Sequence, residues 1–215
     1  MLTRRPYSTD LSDDEWEILR PLVPEAKLGG RPRAHQTREI LNTIFFYVVR
    51  GGCAWRLLPH DFLPWQTAYH YYFRAWRIDG TWERIHSTLR ERTPLREGRR
   101  VSPSAAILDS QSVRTTEKRG ARGYDGAKKV NGRKRHLLVD TGGLVMKAKV
   151  HPADLADREG ARALLERVGE SFPDLQHLWA DAGYRGADLR RWITERLGLS
   201  LWRSSNVSLD GGVGS

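Results

Sequence analysis

The chain has 215 residues, of which 39% are hydrophobic, and its 36 Lys and Arg outnumber its 26 Asp and Glu to give a net charge of +10. This hydrophobic content excludes a globally disordered chain, and the length predicts one or two domains. The longest apolar run, IFFYVV, is far shorter than the roughly 20 residues that cross a membrane, and no signal peptide is visible. The basic charge favours a polyanionic partner, most often nucleic acid.

The chain contains one cysteine, Cys53. A single cysteine excludes an internal disulfide and is typical of a reducing, cytoplasmic location. A lone cysteine is more often a small core or turn residue than a nucleophile. We therefore expect a cytoplasmic protein in which Cys53 is structural.

The chain to about residue 92 carries helical patterns. Ser12 and Glu15 form a capping-box pair that predicts a short first helix. Apolar residues at helical spacing between Ile40 and Val49 predict a second helix, which Gly51-Gly52 ends.

Two further helices are predicted for residues 65–76 and 82–89, separated at Gly80. Short helices, tight turns and scattered basic and aromatic residues are typical of a helix-turn-helix DNA-binding domain. Aromatic residues at such spacing usually pack in a core, so we assign Trp55, Trp65, Trp76 and Trp82 to the core. DNA contact is then expected from the arginines of this region, Arg31, Arg33, Arg56, Arg74 and Arg77.

Residues 93–104, rich in proline and arginine, predict a linker. Strand and helix patterns alternate beyond it, with a hairpin predicted across Thr141-Gly142-Gly143. The predicted elements are a strand at 105–113, hairpin strands at 135–140 and 144–150, a helix capped by Asp157 that continues through Val168, a strand at 177–180, a helix at 187–197 and a last strand from Leu199.

Asp109 interrupts the first of these strands. Burying an unpaired carboxylate costs several kcal/mol, so such a residue is usually paired, hydrogen-bonded or bound to a metal. The helix before strand 177–180 can serve as a crossover that lets this strand lie parallel to the first. Asp181, directly after it, would then adjoin Asp109 near strand ends, where ligand sites form.

Two carboxylates held together need a proton or a cation. Oxygen ligands favour Mg²⁺ or Mn²⁺, and paired ions of this kind support displacement at phosphate. Simpler interpretations stay open for each residue. Asp109 could pair with Arg114 or backbone amides, and Asp181 could be a turn residue before Gly183.

The region between the two aspartates is basic. From Val113 to Arg135 it holds nine Lys or Arg and two acidic residues. A negative centre beside a positive, glycine-broken loop suits metal-dependent chemistry on a phosphodiester backbone; the alternative is a solvated loop without specific contacts. The residues expected to contact DNA here are Arg114, Lys118, Arg119, Lys128, Lys129, Arg133, Lys134 and Arg135.

Three motifs of this second part, ILDSQSVRT, GAKKVNGRKRHLLVDTGGLV and HLWADAGYRG, resemble the catalytic domain of bacterial insertion-sequence DDE transposases. The closest group is the insertion-sequence-five family, within the insertion-sequence-four superfamily. The N-terminal motifs DLSDDEWEILRPLVP, GGRPR, RGGCAWRLLPHDFLPWQTAYHYYFRAW and GTWERIHSTL resemble the helical domain that precedes it. The likeness runs from about Asp10 to Trp202.

The resemblance implies an α+β protein. A helical, helix-turn-helix-like DNA-binding domain at residues 1–92 would be followed by a linker at 93–104. An RNase H-like mixed-sheet catalytic domain would occupy 105–203, and an unstructured tail 204–215.

The resemblance also implies a site of three acidic residues, Asp, Asp and Glu, that binds two Mg²⁺ or Mn²⁺ ions. Asp109 matches the first position and Asp181 the second, as catalytic and metal-binding residues. Such enzymes activate water, and then a DNA 3′-hydroxyl, for strand cleavage and transfer. The implied partners are the terminal inverted repeats of the element and a second copy of the chain bound to the same DNA.

The chain departs from the family pattern after Asp181. The family's glutamate lies well downstream in an Arg-Trp-Val-Val-Glu-Arg-like motif that is not found here, and Glu195 comes too early to replace it. The tail SSNVSLDGGVGS looks like a shifted reading frame or an early stop. We therefore expect an incomplete catalytic domain, weak metal binding and no activity from this chain alone, unless a second, frameshifted product completes it.

Two other function classes remain. One is a DNA-binding protein without catalysis, a remnant or inhibitor of the complete enzyme. The other is a metal-dependent nuclease such as a junction resolvase, which the N-terminal motifs disfavour.

Overall fold

The computed structural model describes residues 4–25, 34–46, 54–115, 121–184 and 186–203. The chain divides into two compact units, Met1–Leu89 and Arg90–Ser215. Helices form the first unit, and a six-stranded mixed sheet with helices forms the second. The predicted α+β class, with the helical part first, is confirmed. None of the described helices has the length and apolar composition needed to cross a bilayer.

The helices that begin the chain follow the predicted order. They are α1 (Asp13–Leu19), α2 (Thr37–Phe45), a π-helical segment (Thr67–Phe73), α3 (Arg74–Ile78) and α4 (Thr81–Arg96). The capping box of α1 is confirmed, because the Glu15 amide donates to Ser12 Oγ at 3.2 Å and the Ser12 amide donates to Glu15 Oε2 at 2.8 Å. The predicted end of the second helix at Gly51-Gly52, and Cys53 beside it, lie outside the described residues.

The bounds of α4 correct the predicted linker. This helix continues to Arg96 and contains Pro94, so the first four residues of the expected linker are helical.

The core of the first unit contains most of the tryptophans assigned to it. Trp76 is buried among aliphatic residues of α1 and α2, and Trp55 and Trp82 pack half-buried against the same cluster. Trp65 differs, because among the described residues it does not pack against this cluster and instead has the Arg56 guanidinium 5.6 Å from its ring centroid. The core assignment is therefore confirmed for three of the four indoles.

The second unit is built on strands β1 (Ala105–Arg114), β2 (Gly123–Asp125), β3 (Val130–Asp140), β4 (Val145–Pro152), β5 (His177–Ala180) and β6 (Ser200–Arg203). The sheet order is β2-β3-β1-β5-β6, and β4 also pairs with β3. The β3–β4 hairpin is antiparallel and β5 lies parallel to β1, as predicted. The predicted basic loop between Val113 and Arg135 is corrected, because much of this segment forms β2 and the first half of β3.

Three helices complete the second unit, α5 (Asp157–Leu165), α6 (Val168–Ser171) and α7 (Ala187–Leu197). The predicted helix through Val168 instead ends at Leu165, and Arg167 then adopts a left-handed φ of 57°. The cap of α5 is also corrected. Ala156 occupies the N-cap position, and Asp157 is the first helical residue.

Burial alternates along β1 because helices cover one face of the sheet. Ala106, Leu108 and Ser110 are buried, and the first two pack with α5 and α7 side chains in the core. Ile107 and Asp109 lie on the opposite, exposed face. Asp109 therefore does not carry the cost of a buried carboxylate that its place in this strand indicated. Its carboxylate is accessible.

Candidate active site

Asp109 and Asp181 lie beside each other where β5 ends. Leu108 of β1 is in parallel register with Ala180 of β5. Asp109 is the next residue of β1, and Asp181 directly follows the end of β5. Both aspartates are exposed. The structure thus brings the two predicted carboxylates together at an accessible edge, which is the juxtaposition that the crossover argument predicted.

A backbone amide orients each of these carboxylates. The Ser110 amide donates to Asp109 Oδ1 at 2.7 Å. The Gly183 amide, in a 3₁₀ turn over Ala182–Tyr184, donates to Asp181 Oδ1 at 2.9 Å. The sequence left two partners possible for Asp109, Arg114 and a backbone amide. Within the described part of the chain no ion pair joins Asp109 to Arg114, and the observed partner is the backbone amide.

A third carboxylate, Asp157, lies next to this pair. Its Oδ1 accepts a hydrogen bond from Ser110 Oγ at 3.3 Å and lies 2.9 Å from Lys134 Nζ. Ser110 follows Asp109 on β1 but faces the helical side of the sheet. Asp157 is therefore tied both to the strand that carries Asp109 and to β3.

Lys134 is a buried cation between two carboxylates. Its side chain is 6% exposed, and its Nζ lies 3.3 Å from Asp125 Oδ2 as well as near Asp157. Burial by itself raises the pKa of Asp125. Hydrogen bonds from Ser112, the Lys128 amide and Lys134 lower it by more, so that the pKa is about 2. The expectation that Lys134 contacts DNA is therefore corrected, since its ammonium group is buried inside the unit.

Tyr184 and His136 form the floor of the site. The Tyr184 hydroxyl lies 3.1 Å from His136 Nδ1, and both side chains are buried. Burial raises the pKa of Tyr184, and the negative charges of Asp157, Asp181 and Asp109 raise it further, while a hydrogen bond with Ser110 acts in the opposite direction. Burial lowers the pKa of His136 to about 4. At neutral pH this floor is uncharged, so neither group offsets the carboxylates.

Gly183 leaves a recess between two of the carboxylates. A Cβ at this position would lie 2.9 Å from Asp157 Oδ2 and 3.1 Å from Asp181 Oδ1. Any larger residue would fill that space. Among the described residues no group of three His, Cys, Asp or Glu side chains is close enough to hold one ion. A pair of exposed aspartates that no Cβ at position 183 crowds still fits Mg²⁺, which takes one or two carboxylates and retains its waters.

The basic residues near this site differ in their surroundings. Lys128 Nζ donates to the carbonyl oxygen of Ser110, the residue after Asp109 on β1, at 2.8 Å. Arg135 is exposed, on the same sheet face as Asp109, and donates to Gln111 Oε1. Arg133 is half-buried, with its Nε 3.3 Å from the Ala121 carbonyl oxygen. Arg114 and Lys129 are exposed, whereas Lys118 and Arg119 lie outside the described residues.

The N-terminal arginines are also divided. Arg74 and Arg77 are exposed on α3, where Ile78 is exposed to 72%, and Tyr71 of the preceding π-helical segment is exposed to 74%. Arg56 is exposed beside Trp65. Arg31 and Arg33 lie outside the described residues.

The ion pair between Asp157 and Lys134 was not predicted from the sequence, although the pattern of β3 indicates that Lys134 is buried. Lys134, His136 and Leu138 alternate along β3 and are all buried. Period-two alternation places every second residue on one face, so Leu138 marks Lys134 and His136 as facing the core. The high density of basic residues around Lys134 conceals that pattern.

The mixed sheet, with Asp109 on β1 and Asp181 directly after the parallel strand β5, is consistent with an RNase H-like DDE domain. Residues 100–204 match the family model described as "Transposase DDE domain". Residues 11–86 match the model described as "Putative transposase of IS4/5 family". A search of curated protein sequences gave no significant match.

One model matches within each of the two units of the chain. The chain belongs to the DDE transposases of the IS4 superfamily.

Proposed function

We propose that this transposase chain binds the terminal inverted repeats of its element and acts in metal-dependent DNA strand cleavage and transfer. Asp109 and Asp181 are its catalytic, metal-binding residues. The observation that supports this most strongly is the parallel register of β1 and β5, which places both carboxylates side by side at an accessible edge.

Asp109 and Asp181 would hold Mg²⁺ or Mn²⁺. The amides of Ser110 and Gly183 orient them, and the recess at Gly183 leaves space beside them. When bound, such an ion neutralises charge on a phosphodiester and lowers the pKa of an attacking oxygen.

The chain's own residues bind and position the DNA. Lys128, held against the Ser110 carbonyl, offers a positive charge to a phosphate beside Asp109. Arg135 extends the positive surface along the same sheet face, with Arg133 two residues earlier on β3. These residues contribute charge rather than sequence recognition.

Sequence recognition is assigned to the first unit. Arg74 and Arg77 are exposed on α3, and Tyr71 is exposed in the π-helical segment that precedes it. Arginine is the side chain that most often reads guanine in the major groove. The Arg56 guanidinium beside Trp65 adds a further positive charge to this unit.

The test is cleavage of a labelled duplex carrying the element's own end, with Mg²⁺ or Mn²⁺. It is run on the chain alone and on the chain joined to a family C-terminal segment with the Arg-Trp-x-x-Glu-Arg motif. We expect cleavage from the joined form only, and its loss in Asp109→Asn and Asp181→Asn with DNA binding retained. Asp174→Asn, an exposed aspartate in another turn, is the matched control.

Cleavage that survives in both variants would place the active site elsewhere. Specific DNA binding without cleavage by either form would instead favour the second candidate, a non-catalytic DNA-binding protein.

A further inference from the structure

The carboxylate of Asp157 has two oxygens in different surroundings. Oδ1 is engaged by Lys134 at 2.9 Å and by Ser110 at 3.3 Å. Oδ2 borders the recess at Gly183, and Asp181 Oδ1 borders the same recess. A residue that only stabilised the fold through Lys134 would not need its second oxygen at this place.

The anchoring of Asp157 is rigid. Lys134 is 6% exposed and Asp157 19% exposed as side chains, and Asp125 holds the other side of the ammonium group at 3.3 Å. Since Asp157 starts α5, its backbone is also fixed by the helix. Oδ2 therefore has little freedom to leave the recess.

From this geometry we propose that Asp157 is a positioning residue for the divalent ion of the Asp109–Asp181 pair. Its Oδ2 accepts hydrogen bonds from water in the recess, and that water connects it to the ion. The three carboxylates are not close enough to hold one ion directly among the described residues, so Asp157 acts through water. This inference rests on the proposed function, because it needs an ion at Asp109 and Asp181.

The glycine at position 183 follows from the same proposal. Its backbone is not in the left-handed region, so alanine would fit the chain's conformation there. The added methyl group would still lie 2.9 Å from Asp157 Oδ2 and 3.1 Å from Asp181 Oδ1. Because Asp157 is anchored, the methyl group would displace the water and turn Asp181 away.

The experiment is Mn²⁺ binding to the full chain, followed by electron paramagnetic resonance, which detects bound and free Mn²⁺ without requiring cleavage. Asp157→Asn should weaken the affinity about tenfold, the lower end for losing a group that supports a metal site through its neighbours. Asp174→Asn removes the same charge from an exposed turn and should leave the affinity within about twofold of wild type.

Gly183→Ala is the second variant, because it keeps every carboxylate and the Lys134 ion pairs. It should lose at least about tenfold in Mn²⁺ affinity with unchanged circular dichroism. Gly169→Ala is its control, since a Cβ there would meet no atom within 4 Å. Wild-type affinity in Asp157→Asn or Gly183→Ala would overturn the inference.

Asp109→Asn and Asp181→Asn separate this result from the proposed function. If they lose Mn²⁺ binding while Asp157→Asn keeps it, the inference fails and the proposed function stands. If they bind Mn²⁺ like wild type, the metal site itself is wrongly placed, and the inference falls with it.

Discussion

Lys134 Nζ lies 2.9 Å from Asp157 Oδ1, and this ion pair joins β3 to the start of α5 inside the second unit. The lysine belongs to a run of basic residues whose other described members are more exposed. Its burial separates two kinds of positive charge in that run. Lys134 stabilises the carboxylates beneath the site, whereas Arg135 and Lys128 lie where DNA could reach them.

Replacing Lys134 with methionine should destabilise the protein strongly. The change keeps the apolar stem but leaves Asp125 and Asp157 without their shared cation, and removing one partner from a buried pair costs about 3–5 kcal/mol. Urea denaturation should show this loss in the free energy of unfolding. Lys129→Met, at an exposed position, is the control and should change it by less than about 0.5 kcal/mol. Equal stability of the two variants would mean that the ion pairs contribute little.

Stability should also fall as the pH drops from about 6.5 to about 4, because of His136. The pKa of His136 is lowered by burial from 6.5 to about 4 in the folded protein. Between these values the unfolded chain binds a proton at this residue and the folded chain does not. The contribution is therefore fully present above pH 6.5 and is lost on acidification, by up to about 3 kcal/mol.

Denaturation series at pH 7.5, 6, 5 and 4 would measure that loss. His136→Gln should reduce the slope of the free energy of unfolding against pH in this range. Asp125 contributes at lower pH. Its depressed pKa, about 2, gives stability that is present above about pH 4 and is lost as the pH falls toward 2. A slope in His136→Gln identical to that of wild type between pH 6.5 and 4 would contradict the assignment.

The parts of the fold that the sequence predicted are those with a strong local pattern. The strand beginning at Ala105 and the helix Ala187–Leu197 carry clear periodicity, and the crossover rule then placed β5 beside β1. The three-residue strand Gly123–Asp125 is too short for any periodicity to show. Its existence depends on pairing with β3, which is a tertiary effect.

The candidate site could be predicted as a pair of residues but not as a network. Asp109 and Asp181 can be found because strand order brings them together. The sequence predicts Asp157 only as a helix cap, since aspartate before a helix usually caps it. Tertiary contacts with Lys134 and Ser110 instead determine its orientation. These partners are distant in sequence, so the residues around Asp157 do not predict them.

Arg135 and Arg133 should contribute to the salt dependence of DNA binding. Each phosphate neutralised contributes about −0.9 to the slope of log affinity against log salt. Replacing both with glutamine should make the slope shallower by almost 2, on element ends and on random DNA alike. Arg167→Gln removes an arginine at the start of α6 that pairs with Glu170, so it should leave the slope unchanged. A double variant with the wild-type slope would exclude this sheet face from the interface.

Arg74 and Arg77 should instead determine sequence preference. Both are exposed on α3, and a bidentate hydrogen-bonded pair with a base is worth about 1–3 kcal/mol of discrimination. Arg74→Gln and Arg77→Gln should therefore each reduce the preference for the element's end over a scrambled duplex by roughly 5- to 150-fold. Competition binding at fixed salt measures this ratio directly. Arg20→Gln, a change of equal charge at a position 62% exposed as a side chain, should leave the ratio unchanged. If the α3 variants weaken binding to both duplexes equally, these arginines bind phosphates, and recognition belongs to another part of the first unit.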